Sequence, residues 1–184
     1  MKNFNFLLCL LLTGLYSCNQ SPDNSESKKA MLEKETTISE TEQAINQLVT
    51  DAYKVITFEK GTTPDYVAMK SLFTPKATLI NFREDNLNSY YIDEFIEEFK
   101  AGNFAGELTA FDEVELGGET EYFGKIGHRI SAYATKFNGA EEIGERGVNS
   151  FQVIKVNGKW LINSIIWDIE KSGQPIPKRY ITDK

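Results

Sequence analysis

The dipeptide Asn157-Gly158 constrains this chain more than any other pair of residues. It separates two runs, 147–156 and 159–169, in which apolar residues recur at strand spacing. A two-residue type I′ turn needs φ > 0 at both central positions, which Asn and Gly tolerate best. The pair therefore predicts a tight β-hairpin whose loop sets the register. Val156 should oppose Lys159, Val153 Ile162, Asn149 Ile166 and Gly147 Asp168. In that register Trp160, Val153, Ile162, Phe151, Ser164, Asn149, Ile166 and Asp168 share one face, apolar near the turn and polar at the far end. The other face holds Ile154, Leu161, Gln152, Asn163, Ser150, Ile165, Val148 and Trp167, a mix suited to a dimer interface. The pattern leaves open which face is concave.

Upstream of this hairpin the periodicity changes from strand to helix. Ser39-Glu40-Thr41-Glu42 has the spacing of a capping box. Ile45, Leu48, Val49, Ala52 and Ile56 then form one apolar stripe, with Tyr53 at its edge and Gly61 as a stop. Thr63-Pro64 suits the start of a short second helix burying Val67, Leu72 and Phe73. A strand over 77–82 follows, then a third helix over 91–100 with Ile92, Phe95, Ile96 and Phe99 on one side, stopped by Gly102. Residues 107–116 alternate as a strand, Gly117-Gly118 signals a turn, and 119–137 reads as one long strand bent at Gly124 and Gly127. Helices followed by strands predict an α+β fold: a curved antiparallel sheet wrapped around three N-terminal helices.

The first residues follow different rules. Lys2 precedes an apolar run from Phe4 to Leu12, shorter than the roughly 20 residues that span a bilayer. This is the pattern of a signal peptide over 1–17. Leu15-Tyr16-Ser17-Cys18 resembles a bacterial lipobox, which implies cleavage before Cys18 and lipid attachment to it. The chain has 2 cysteines. Cys9 lies in the leader, so the mature chain would hold Cys18 alone and no internal disulfide. Residues 18–37 are mostly polar and read as a flexible tether. One domain is expected over 38–184, anchored to a bacterial envelope membrane, with the outer membrane as the expected address.

Of the 184 residues, 41% are hydrophobic and 26% charged, as in ordinary globular chains. The net charge of −7 argues against a nucleic-acid partner, since phosphate binding needs a basic face. A single histidine and the absence of spaced ligands give no support for a metal site, and no cofactor is expected.

Three stretches carry a family resemblance. They are Leu72-Phe73-Thr74-Pro75-Lys76-Ala77-Thr78-Leu79, Tyr122-Phe123-Gly124-Lys125-Ile126-Gly127-His128, and Arg146 to Gln152 followed by Trp160 to Asp168. The closing Gly173-Gln174-Pro175-Ile176-Pro177 with Tyr180 resembles a poorly characterised bacterial branch. With these the chain resembles the nuclear transport factor 2-like superfamily over roughly residues 41–180. The resemblance implies a cystatin-like cone with a pocket at its open end, and homodimers, often through the outer sheet face.

Fold alone does not give function. The resemblance to the steroid-isomerase branch implies an aspartate base on the strand after the second helix. Asn81 stands there instead, and an amide cannot take the proton. Tyr53 matches the oxyanion tyrosine of that branch, or is a core-edge tyrosine with a satisfied hydroxyl. His128, with Asp168 to orient it, would supply the base of a small lyase or isomerase acting on a hydrophobic molecule. The other reading of His128 is a hydrogen-bonded structural residue or a dimer contact, and that of Asp168 a solvated strand end. Glu94, Glu97 and Glu98 read as a solvated helix face. The expectation is a lipid-anchored, non-catalytic module whose cone holds a small apolar ligand or a partner, with Tyr53, Asn149 and Asp168 as ligand contacts.

Overall fold

The structure is a computed structural model that describes residues 38–82 and 86–181. The expected leader, Cys18 and the tether lie outside the described residues. Helix α1 (Glu40–Ile56) starts where the sequence places it: Ser39 Oγ accepts the Glu42 amide at 3.1 Å. Its stripe buries Ile45, Leu48 and Val49, and Tyr53 lies within the core rather than at its edge, only 6% exposed.

Helix α2 (Tyr66–Ser71) is capped by Asp65, not Thr63. Two residues' displacement of the cap turns the buried side, so Met69 goes inside and Val67 stands 82% exposed. Strand β1 (Phe73–Asn81) and the short strand β2 (Asn88–Tyr91) lead into helix α3 (Ile92–Phe104), which runs through Gly102. Ile92 and Ile96 of α3 are buried as expected.

Strands β3 (Phe111–Phe123), β4 (Ile126–Phe137), β5 (Glu145–Val156) and β6 (Lys159–Ile169) form an antiparallel meander. Gly117-Gly118 is not a turn but lies inside β3, beside a register shift between Glu115 and Gly117. The turn falls at Gly124-Lys125, so the expected single strand over 119–137 is two. Close approach explains the glycine at 118. A Cβ there would lie 2.3 Å from the Ile130 carbonyl oxygen.

The six strands are ordered β2-β1-β6-β5-β4-β3 in one sheet. The sheet is mixed rather than wholly antiparallel, because β1 runs parallel to β6. The reason lies where both strands begin. Lys159 Nζ donates to the Ser71 carbonyl and the Ile162 amide donates to the Leu72 carbonyl, so α2 delivers β1 beside the first residues of β6. Helix α1 packs on β3, β4 and β6, and α3 packs on β1 and β2. Beyond β6 the tail crosses the outer face: a 3₁₀ turn, Lys178–Tyr180, packs on β3 and β4. Ile176 is buried there, and so are the outward-facing Ala132 and Ala134.

The Asn157-Gly158 turn has the expected backbone, with φ of 49° and 83°. Val156 opposes Lys159 and Val153 opposes Ile162. The next pair is Gln152 with Ser164, which leaves Asn163 as a bulge. Beyond it the register moves by one, to Asn149 opposite Trp167 and Val148 opposite Asp168. A one-residue slip exchanges the two faces of a strand. Ile165 and Trp167 therefore turn inward, while Ile166 and Asp168 turn outward, the reverse of the sequence expectation.

Replacement Gly118→Ala should cost about 1–3 kcal/mol of stability, because a backbone carbonyl cannot swing aside as a side chain can. Urea unfolding at equilibrium measures this, and an unchanged midpoint would contradict the close packing of β3 on β4.

Candidate functional site

The concave face of the sheet, the C-terminal half of α1 and the inner side of α3 enclose a cavity of about 530 Å³. Its apolar wall is a chain of rings. Phe95 stacks on Phe99 at 5.9 Å and meets Trp167 edge-on at 6.4 Å. Phe99 meets Phe111 and Phe111 meets Phe137, each edge-on at 5.6 Å. Edge-to-face geometry at these separations is the favoured arrangement of aromatic pairs. The Asn163 bulge matters here, since without it Trp167 would face the other way.

The polar groups converge on the opposite wall. Asn149 Nδ2 donates to the Tyr53 hydroxyl at 3.0 Å. The Tyr53 hydroxyl and Ser131 Oγ lie 2.7 Å apart. Ser131 Oγ in turn donates to Glu115 Oε1 at 2.6 Å, and Arg129 Nε donates to the same oxygen at 2.8 Å. A serine hydroxyl has one proton. Because Ser131 gives it to Glu115, Tyr53 is the donor to Ser131. The chain of bonds therefore has one direction, from Asn149 through Tyr53 and Ser131 to Glu115.

Burial, and then the charge of Glu113, push the Tyr53 phenol well above its ordinary value of 10.0. It is thus a neutral hydroxyl at any physiological pH. Glu113 Oε2 accepts from Thr135 Oγ1 at 2.9 Å, and Glu145 Oε1 accepts from the Tyr133 hydroxyl at 2.9 Å. Gly147 makes room for that tyrosine, since a Cβ at 147 would lie 2.6 Å from its hydroxyl. Glu98, Glu113 and Glu145 all line the cavity, and among the described lining residues there is no Lys, Arg or His. Asn81, where the resemblance implies an isomerase base, also lines it and accepts from Asn88 Nδ2 at 2.9 Å.

The structure brings Tyr53 and Asn149 together and leaves His128 and Asp168 apart. His128 alternates with the inward-facing Arg129 and Ser131, so it lies on the convex face, 4.0 Å from Glu121 across the strand pair. Asp168 also faces outward. Its Oδ1 accepts the Ile169 amide at 2.8 Å, and Lys171 Nζ lies 3.7 Å away. The register puts Asp168 level with Ala132, four residues along β4 from His128 and two strands away. That is about 13 Å along the strands and about 10 Å across them. The expected dyad is not formed, and Asp168 is not a cavity contact. Glu98 is exposed, as read from sequence, and also lines the cavity. Glu113 could have been found from its alternation with Phe111, since both line the cavity. Among the described residues there is no group of three or more His, Cys, Asp or Glu placed to hold a metal ion.

No family model matches the sequence, and no curated protein matches it. Solved structures do. A cystatin-like protein of unknown function from Nostoc punctiforme superposes with a TM-score of 0.58 at 14% identity, covering 74% of this chain and 97% of that one. A nuclear transport factor 2-like protein of unknown function from Silicibacter pomeroyi gives 0.53 at 22% identity, over 73% and 100%. Another from Shewanella baltica gives 0.51 at 19% identity, over 74% and 99%. The fold is the nuclear transport factor 2-like cone. In such a cone the cavity described above lies at the open end, between the helices and the concave sheet.

The raised Tyr53 ionisation predicts a pH dependence. An unfolded tyrosine loses its proton near pH 10, whereas folded Tyr53 keeps it. Stability from this group is complete below pH 10 and falls above it by about 1.4 kcal/mol per pH unit. Urea unfolding on either side of that pH should show the loss, and Tyr53→Phe should remove this part of the slope.

Proposed function

We propose that this protein is an envelope-anchored lipoprotein whose cone binds a small, mostly apolar ligand without converting it. One observation carries the reading: a cavity with a continuous aromatic wall faced by a short row of pinned polar groups, the common build of a small-molecule site. Ligand carbon would lie on Phe95, Phe99, Phe111 and Trp167. Its polar end would meet Asn149 and the carboxylates Glu113 and Glu145, a setting that favours a neutral or cationic group over an acid.

Two features speak for binding rather than catalysis. Asn81 cannot act as a base, and the neutral Tyr53 hydroxyl already spends its proton on Ser131. The lipobox-like Leu15-Tyr16-Ser17-Cys18 supports the anchor, with the outer membrane as its address. The convex face, with Ile80, Ile154, Leu161 and Ile166, offers a surface on which two copies would pair.

Thermal-shift screening of a metabolite library against the purified protein tests the binding reading. Hits should be amphipathic and neutral or cationic, and Asn149→Ala should weaken them by about 0.5–1.5 kcal/mol with the fold intact. Binding unaffected by that replacement would move the ligand elsewhere. Replacing Cys18 with serine should abolish metabolic labelling by radioactive palmitate, and persistent labelling would refute the anchor.

A further inference from the structure

The two ends of the sheet differ in chemistry. Phe123 and Ile126 flank the Gly124-Lys125 turn and pair with each other across it. They are 83% and 61% exposed, among the most exposed large apolar side chains described. Tyr122 and Ile38 beside them are 43% and 50% exposed. An apolar knob of this kind on a water-soluble surface is a contact awaiting a partner.

The entry of the chain identifies that partner. Ser39 Oγ bonds the Tyr122 hydroxyl at 2.8 Å, so the chain preceding the domain joins it at this knob. Nineteen residues, Asn19 to Thr37, separate Ile38 from Cys18. Lys125 is exposed at the tip of the turn, and the adjacent Asn157-Gly158 hairpin lies at the same end of the sheet, with Lys159 exposed there and its Nζ donating to the Ser71 carbonyl. Glu121 is exposed two residues before Phe123, where it faces His128 rather than the turn. Aromatic and aliphatic tips bordered by lysine suit the headgroup boundary of an anionic bilayer.

The cavity lies at the other end. Its lining includes Phe137 and Glu145, which flank the loop 138–144 joining β4 to β5. Strand β4 alone spans twelve residues between the two turns, about 40 Å at strand rise.

We propose that the β3–β4 tip, Phe123 with Ile126, inserts into the surface of the membrane that holds the lipidated Cys18, so that the cavity mouth points away from the bilayer. This rests on the lipid anchor proposed above. The tip gives the anchored domain a fixed orientation on the membrane.

Fluorescence quenching tests this on the native lipidated protein, purified from membranes and reconstituted into phosphatidylethanolamine–phosphatidylglycerol vesicles. Phe123→Trp places a reporter at the tip, and Ile143→Trp places one in the exposed loop at the opposite end. Brominated acyl chains should quench the added emission of Phe123→Trp and leave that of Ile143→Trp unchanged. Equal quenching of both, or of neither, overturns the orientation. A blue-shifted but unquenched Phe123→Trp would assign the tip to a protein partner and also overturn it. Intact mass separates the two readings. Lipid on Cys18 with an unquenched tip refutes the insertion alone. An unmodified Cys18 refutes the anchor alone, and the same quenching by added vesicles then decides the tip.

Discussion

The hydrogen-bond chain from Asn149 through Tyr53 and Ser131 to Glu115 is the interaction on which the rest of the molecule turns. Four elements meet in it: β5, α1, β4 and β3. Tyr53, Ser131 and Asn149 are buried and Glu115 is partly so. Unpairing one therefore costs more than the bond itself is worth. The aromatic core brings α1 to the sheet without choosing an angle. This polar chain chooses it, because only one rotation of α1 sets the Tyr53 hydroxyl between Ser131 and Asn149. The cavity takes its shape from the same constraint, since Tyr53 is at once a core residue and part of the wall.

Much of this is legible in the sequence. The Ser39 cap, the α1 stripe, the α3 apolar face and the Asn157-Gly158 turn are local signals, and each lies where its residues place it. Tyr53 and Asn149 were also readable as polar groups at the ends of apolar faces. The reversed faces of the β6 end have one cause. The bulge at Asn163 leaves no mark in the alternation, because Ile165 and Ile166 are both apolar and either can serve the core. One unmarked residue therefore reversed the faces of everything after it, sending Asp168 outward and bringing Trp167 in. The Gly117-Gly118 pair misled in a similar way. Glycine marks both turns and places where another backbone comes close, and only the paired strand distinguishes them.

His128 shows the limit of pattern from another side. Its neighbours at strand spacing, Ile130, Ala132 and Ala134, form an apolar face that looks like a core. It is a core, but of a different kind: the C-terminal tail with Ile176 and the Lys178–Tyr180 turn covers part of the convex surface. Both sides of β4 are thus buried at its centre, and apolar character alone does not say which side is concave. Charge says it better. The carboxylates Glu113 and Glu145 mark the inner face, where Glu113 accepts from Thr135 and Glu145 from Tyr133.

The parallel pairing of β1 with β6 has a consequence for the order in which the molecule is made. Leu79 and Ile165 are partners, yet 86 positions separate them along the chain. Synthesis proceeds from the N-terminus at about 5–20 residues per second. For several seconds, then, β1 has only β2 beside it and its other edge stays open, while each hairpin of the meander can close as soon as its second strand emerges. The β1–β6 seam of this cone should thus close last, joining an early strand to one of the latest, against the direction in which the chain was born.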